Sequence, residues 1–263
     1  MATTTFSNTR ADAVTPAAKL KPKEHGAYAI LGIPIATSLL IAGLSVPGVC
    51  VAIASVTGFL AHEPLLIAWG HRGSRAQRST PAATRRLFVL LALTLLGGSL
   101  AFLTGSTAVR ISLLGCLGLA TSSFALAVAG NHRSLLNQLW GVVGLSVPCV
   151  PILLAGAIPI HQALEIWTTW LIGFAATTMA VRGVIAAQKR TPRTIHWVTI
   201  SALILLMLGL YSSARPLVIV TLPMLTMSVS LMIWPPPAKH LKRVGWTLVV
   251  GTVASAVWMI IVV

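Results

Sequence analysis

Apolar residues run in stretches of about twenty over nearly the whole chain, and short polar, largely basic segments separate them. The runs fall at about 27–45, 47–69, 86–104, 108–130, 135–158, 163–186, 194–213, 215–234 and 244–263. Each is close to the ~20 residues that cross a ~30 Å hydrocarbon layer at ~1.5 Å per helical residue. Backbone amides in lipid must be paired within their own segment, so each run is read as helix. The pattern predicts an all-α, polytopic bundle of about nine transmembrane spans. It further predicts a flexible cytoplasmic tail at 1–22 and a single integral membrane helical domain at 23–263, because the loops are too short to hold a soluble domain.

The basic positions between the runs test that count. Arg10, Lys19, Lys21 and Lys23 precede the first span; Arg72, Arg75, Arg78, Arg85 and Arg86 lie between the second and third. Arg133 follows the fourth, Arg182, Lys189, Arg190 and Arg193 end or follow the sixth, and Lys239, Lys242 and Arg243 precede the ninth. With nine spans all of these share one side, and only Arg110 and Arg215 fall on the other. Cytoplasmic loops collect Lys and Arg, which predicts an N-terminus inside and a C-terminus outside. Tyr28, Trp69, Trp197, Trp234 and Trp246 then mark inner ends, and Trp167, Trp170, Tyr211 and Trp258 outer ends, while Trp140 sits deeper.

Composition changes the picture by exclusion. The chain is 56% hydrophobic and 9% charged, against roughly a quarter charged in soluble domains. A disordered chain would be far less apolar, and an outer-membrane barrel would alternate apolar and polar positions. The net charge of +15 invites a nucleic-acid reading, but no recognition motif accompanies it and anchoring beside anionic lipid accounts for it. The expected partners are therefore the lipid bilayer and an anionic lipid or small molecule, with no nucleic acid. The first 22 residues lack the apolar core of a secretory signal. Cys50, Cys116 and Cys149 lie inside apolar runs and read as packing residues rather than disulfide partners.

The chain has four acids. Asp12 is in the tail and Glu165 is near the outer end of the sixth span, where water is within reach. Glu24 opens the first span within Lys23-Glu24-His25-Gly26-Ala27-Tyr28, and Glu63 sits in His62-Glu63-Pro64-Leu65, about 9 Å inside the inner end of the second. A carboxylate at that depth is costly unless protonated, paired or wetted, which makes it a functional candidate. Pro64 lacks an N–H, so the Leu60 carbonyl loses its helical partner. The competing reading is an ion pair that locks two helices. Arg182, at comparable depth, is the cation for such a pair, or else a snorkelling arginine.

The same leaflet collects His25, His62, Arg85, Arg86, Arg133, Asn137 and Gln138. Together these predict a net-positive pocket open to the cytoplasm for a phosphate, diphosphate or carboxylate head, since guanidinium forks match such oxygens. Glu63, His62, His25 and Glu24 are the acid–base candidates, and Arg182, Arg85, Arg86, Asn137 and Gln138 the binding candidates. Orientation anchoring is the plainer role for Arg85 and Arg86. Two histidines with two carboxylates could ligate a metal, but no His-Xaa-Xaa-His pair supports it, so no metal residues and no cofactor are assigned. The remaining histidines, His71, His132, His161, His196 and His240, read as solvated near loops. Pro148 and Pro151 remove two donors in the fifth span and predict a kinked or opened helix there.

Lys-Glu-His-Gly-Ala-Tyr at 23–28, followed by Pro34, resembles the start of the YwiC-like family of bacterial integral membrane proteins. His-Gly-Ala before an aromatic residue carries the likeness, and Pro64-Leu65 and Arg182 before a basic loop are compatible with it. The resemblance implies a multi-pass protein of the bacterial inner (plasma) membrane and supplies no reaction. Nine helices also look like the intramembrane prenyltransferases of the UbiA type, whose aspartate-rich motifs hold Mg²⁺ on a diphosphate. Here the one aspartate is Asp12, so that mechanism has no ligands. Two functions lead, an enzyme or binder of an amphiphilic anion from the inner leaflet and a small-anion or proton-coupled transporter, and an assembly or scaffold role is a third reading.

Overall fold

The computed structural model describes residues 25–70, 82–128, 135–237 and 241–263. The tail at 1–22, Glu24, Arg72, Arg75, Arg78, Arg133, Lys239, His71, His132 and His240 lie outside the described residues. Ten α-helices and one 3-10 segment occupy those residues, with no strand among them: α1 His25–Ala42, α2 Val46–Ala68, α3 Ala82–Thr104, α4 Thr107–Val128, α5 Leu135–Ser146, α6 Cys149–Ala155, α7 Ile160–Gln188, α8 Thr194–Ser212, the 3-10 turn Pro216–Thr221, α9 Leu222–Ile233 and α10 Leu241–Val262. Eight segments are long and apolar enough to cross a membrane, counting α5 with α6 as one and the 3-10 turn with α9 as another. The shorter α1, 18 residues or about 27 Å, makes the ninth. The fold is a polytopic helical bundle.

Local chemistry explains the helix ends. Ser45 caps α2 by accepting from the Gly48 N–H at 3.2 Å, next to Pro47 at a position whose amide needs no helical partner. The fifth span breaks where the two prolines require it. Val147 and Pro148 form a turn between α5 and α6, and the Val150 N–H closes on the Val147 carbonyl at 2.9 Å, replacing the bond that Pro151 cannot make. The eighth span departs from a single helix. Its first six residues are 3-10, with Pro216 at their start and Pro223 two residues beyond their end, and the Leu217 N–H is taken by Glu165 Oε1 at 2.9 Å. Glu165 is thus a cap rather than a merely water-facing acid.

α7 is the centre of the bundle. At 29 residues it is about 44 Å long, and it packs against α5, α6, α8, α9 and the 3-10 turn, touching α1 and α10 as well. Small residues let its neighbours approach, as is common between membrane helices: Gly173 receives Met224, and Gly183 receives Met232. Trp170 stacks on Phe174 at 5.7 Å within the core. α2 and α3 form an antiparallel pair in which Gly97 faces the backbone of Cys50 and Ala54, and the Thr57 and Thr94 hydroxyls lie 2.9 Å apart. This pair leans on α6 and α1. Cys50, Cys116 and Cys149 are free thiols.

Contacts from helix to helix fix which ends lie together. Tyr28 meets Phe59 edge-on at 5.1 Å, joining the start of α1 to the last part of α2. Trp69 and His62 approach Phe124 at 5.6 and 6.5 Å, joining the end of α2 to the end of α4. Trp140 Nε1 donates to Ser122 Oγ at 3.0 Å, bringing in the start of α5. Leu135 and Leu139 pack on the cluster of Met179, Ala180, Val184, Ile200, Met232 and Val244. The ends of α7 and α9 and the starts of α8 and α10 therefore share this same end of the bundle.

Candidate functional site

The basic end of the bundle gathers Arg85 and Arg86 from the first turn of α3, Asn137 and Gln138 from the first turn of α5, and Arg182 from the last two turns of α7. Arg110 and Arg215 stand at the far end. Arg110 donates from Nε to the Phe102 carbonyl at 2.9 Å and from Nη2 to that of Leu103 at 3.2 Å, closing the end of α3, and Arg215 precedes the 3-10 turn. The positive-inside rule assigns the basic end to the cytoplasm.

Glu63 is the buried acid at that end. It is 4% exposed and stands about 8 Å inside the end of α2, with Pro64, Leu66 and Ile67 buried around it. His62, one residue earlier, is half-buried with its ring edge toward Phe124. Arg182, Arg86, Asn137 and Gln138 are half-buried and Arg85 is exposed. His62, Glu63, Asn137 and Arg182 are each engaged in a hydrogen-bonding, ionic, ring or electrostatic interaction. His25 is the first residue of α1, and Glu24 lies outside the described residues. Among the described residues no three His, Cys, Asp or Glu come together to hold a metal.

Helices α1 to α6 carry all of these candidates except Arg182 and Glu24, the latter outside the described residues. The family described as YwiC-like protein matches residues 22–153, half of the chain, from the Lys-Glu-His-Gly-Ala-Tyr stretch through α5 and most of α6. The chain belongs to the YwiC-like family. No curated protein matches the chain, and no solved structure does. In this YwiC-like protein the matched half brings Glu63, His62, Arg86, Asn137 and Gln138 to the end of the bundle where the remaining half supplies Arg182.

Sequence reasoning misplaced His196. It reads as a solvated histidine near a loop, yet it is 9% exposed because it lies on the buried stripe of α8 with Ile200 and Met207. The spacing of four and seven residues between those three was the available signal. Its neighbour Arg193 donates from Nη2 to the Met232 carbonyl, and at 3.6 Å to the Met232 sulfur, so the α7–α8 loop is tied to the end of α9. Tyr28, expected as a headgroup anchor, also braces α2 through Phe59.

Two apolar grooves open on the lipid-facing surface. The larger, about 450 Å³, is walled by α4, the α5–α6 turn, α6 and α7, with Ile111, Gly115, Leu119, Val147, Leu154 and Trp167 among its lining residues. Trp167 is held there by donating from Nε1 to Ser146 Oγ at 3.1 Å. The smaller, about 300 Å³, lies between α8 and α9. The larger groove runs along the first part of α4 and the start of α7, toward the end of the bundle opposite the basic one.

Proposed function

We propose that this YwiC-like protein is an inner (plasma) membrane protein with a polar pocket at its cytoplasmic end, which binds or transforms an amphiphilic anion, a lipid or isoprenoid head group. The observation that carries the reading is Glu63: a carboxylate 4% exposed on a membrane helix, at the end of the bundle that also holds Arg86 and Arg182. Arginines at headgroup depth clamp the oxygens of an anionic head bidentately. Glu63 or His62 serves as acid or base, His25 at the first position of α1 and Glu24, outside the described residues, are the further acid–base candidates, and Arg85, Asn137 and Gln138 complete the polar lining. The roles are those that buried carboxylates and fixed cations take in acid–base and electrostatic catalysis.

The test is retention of ligand by the purified full chain, read by mass spectrometry of extracted lipids and metabolites. An anionic amphiphile should accompany the wild type, fall at least tenfold in Arg182→Ala and Glu63→Gln, and persist in Arg110→Ala, which alters the opposite end. Equal retention in all four proteins would contradict the reading.

The break between α5 and α6 favours a second reading, a small-anion or proton-coupled transporter, because interrupted helices line transporter sites. Solute flux into proteoliposomes that disappears in Glu63→Gln would select it.

A further inference from the structure

The fifth span is made of two pieces that are held very differently. In α6 every residue from Cys149 to Leu154 is buried, whereas in α5 only Val142 and Ser146 are. Pro148 and Pro151 lack the N–H groups that would bond the Gly144 and Val147 carbonyls, and the Val150 N–H takes the Val147 carbonyl instead, at 2.9 Å. The ladder between the pieces is interrupted at two rungs, and a helix bends where its ladder is interrupted. The joint itself is pinned. Ser146 Oγ, at the end of α5, accepts from Trp167 Nε1 of α7 at 3.1 Å and donates to the Val143 carbonyl at 3.3 Å.

Away from the joint the hold on α5 is lighter. It lies against α1, α4 and α7. Toward α4, Trp140 Nε1 donates to Ser122 Oγ at 3.0 Å, and Ser122 donates in turn to the Leu119 carbonyl at 2.9 Å. Toward α7, Leu135 and Leu139 rest half-buried on the cluster of Met179, Ala180 and Val184. Leu136, between them in sequence, is 72% exposed on the outer surface. A segment that buries few apolar side chains opens at low cost. With 12 residues α5 is about 18 Å long, so a small rotation at the joint carries its first turn, with Asn137 and Gln138, through several ångström.

We infer that α5 is a hinged gate: it swings about Val147–Pro148 toward the lipid, with the Trp140–Ser122 bond as its latch, and opens the basic end of the bundle sideways to the inner leaflet between α4 and α7. Trp167 keeps the pivot in place while the far end of α5 moves, and the buried α6 stays fixed, which is how a hinge confines motion to one segment. A lateral opening lets a head group enter polar surroundings while its tail remains in lipid. That use rests on the function proposed above, whereas the motion rests on α5 and its contacts alone.

Double electron–electron resonance on the full chain in lipid nanodiscs tests the gate, with genetically encoded nitroxide amino acids at Leu136 and Ile195, which are exposed in the first turns of α5 and α8. Encoded labels leave Cys50, Cys116 and Cys149 unmodified. The wild type should show a main distance and a minor, longer one. Trp140→Phe, which keeps an aromatic ring and loses the donor, should raise the longer component about fivefold, the effect of one hydrogen bond. Ser122→Ala removes the same bond from the other side and serves if Trp140→Phe does not fold. Pro148→Ala, which restores a rung of the ladder, should abolish the longer component. No ligand is added, so a failure here is separate from a failure of amphiphile retention in Arg182→Ala and Glu63→Gln. The same distances in the wild type and all of these variants overturn the inference, and so does a longer component that survives in Pro148→Ala, because the pivot then lies elsewhere.

Discussion

Ala157, Arg190 and Ala214 adopt the left-handed region at φ 62°, 54° and 60°, each just beyond a helix. At Ala157 the Ile158 N–H reaches back to the Leu153 carbonyl and the Ala157 N–H to that of Leu154, both at 3.1 Å. This is the pairing that satisfies the last carbonyls of a helix and that glycine usually serves at the left-handed position. A side chain there is strained by roughly 1–2 kcal/mol. Ala157→Gly should therefore raise stability by about 0.5–1 kcal/mol, the relief of strain being partly offset by a freer unfolded chain; denaturation in detergent micelles measures it, and a loss of stability would contradict the assignment. Residue-scale roles were unevenly legible in the sequence. The depth of Glu63 followed from counting along one helix. The burial of His196 was signalled only by its spacing from Ile200 and Met207, and the capping by Glu165 was not signalled at all, because it depends on Leu217, a partner far along the chain.

Pairs of helices show what apolar periodicity conceals. The nine runs place every span within a few residues, because the length needed to cross lipid is a strong constraint. The break at Val147–Pro148 was also legible, since proline removes a donor wherever it stands. The 3-10 form of Pro216–Thr221 was not, as an apolar run reads alike in either helix. Which face of a helix meets another is equally hidden when all faces are apolar, and glycines then carry the information. A Cβ at Gly97 would lie 2.9 Å from the Cys50 carbonyl, whereas one at Gly98 would meet nothing within 4 Å. Gly97→Val should destabilise the α2–α3 pair by about 1–3 kcal/mol, and Gly98→Val should fall within about 0.5 kcal/mol of wild type. Equal effects of the two substitutions in thermal unfolding would reject that interface.

Across the whole molecule, charge and burial divide the same way. The cations cluster at the end where α2, α4 and α7 finish and α1, α3, α5, α8 and α10 begin, and the buried carboxylate of Glu63 is at that end. The opposite end uses Arg110 and Glu165 to close helix termini, which leaves them no free role in a ligand site. The proposed function rests on a single polar opening at the basic end, which would separate an amphiphile pocket from a path that crosses both leaflets. The central claim is tested most directly by photo-crosslinking the full chain in nanodiscs with a phosphate-headed amphiphile that carries a diazirine next to its head. Peptide mapping should place the label on the ends of α2 and α7 and the starts of α3 and α5, with competition by unlabelled amphiphile and loss in Arg182→Ala. Label concentrated instead at the start of α4, at the α6–α7 turn or beside the 3-10 turn would contradict the account.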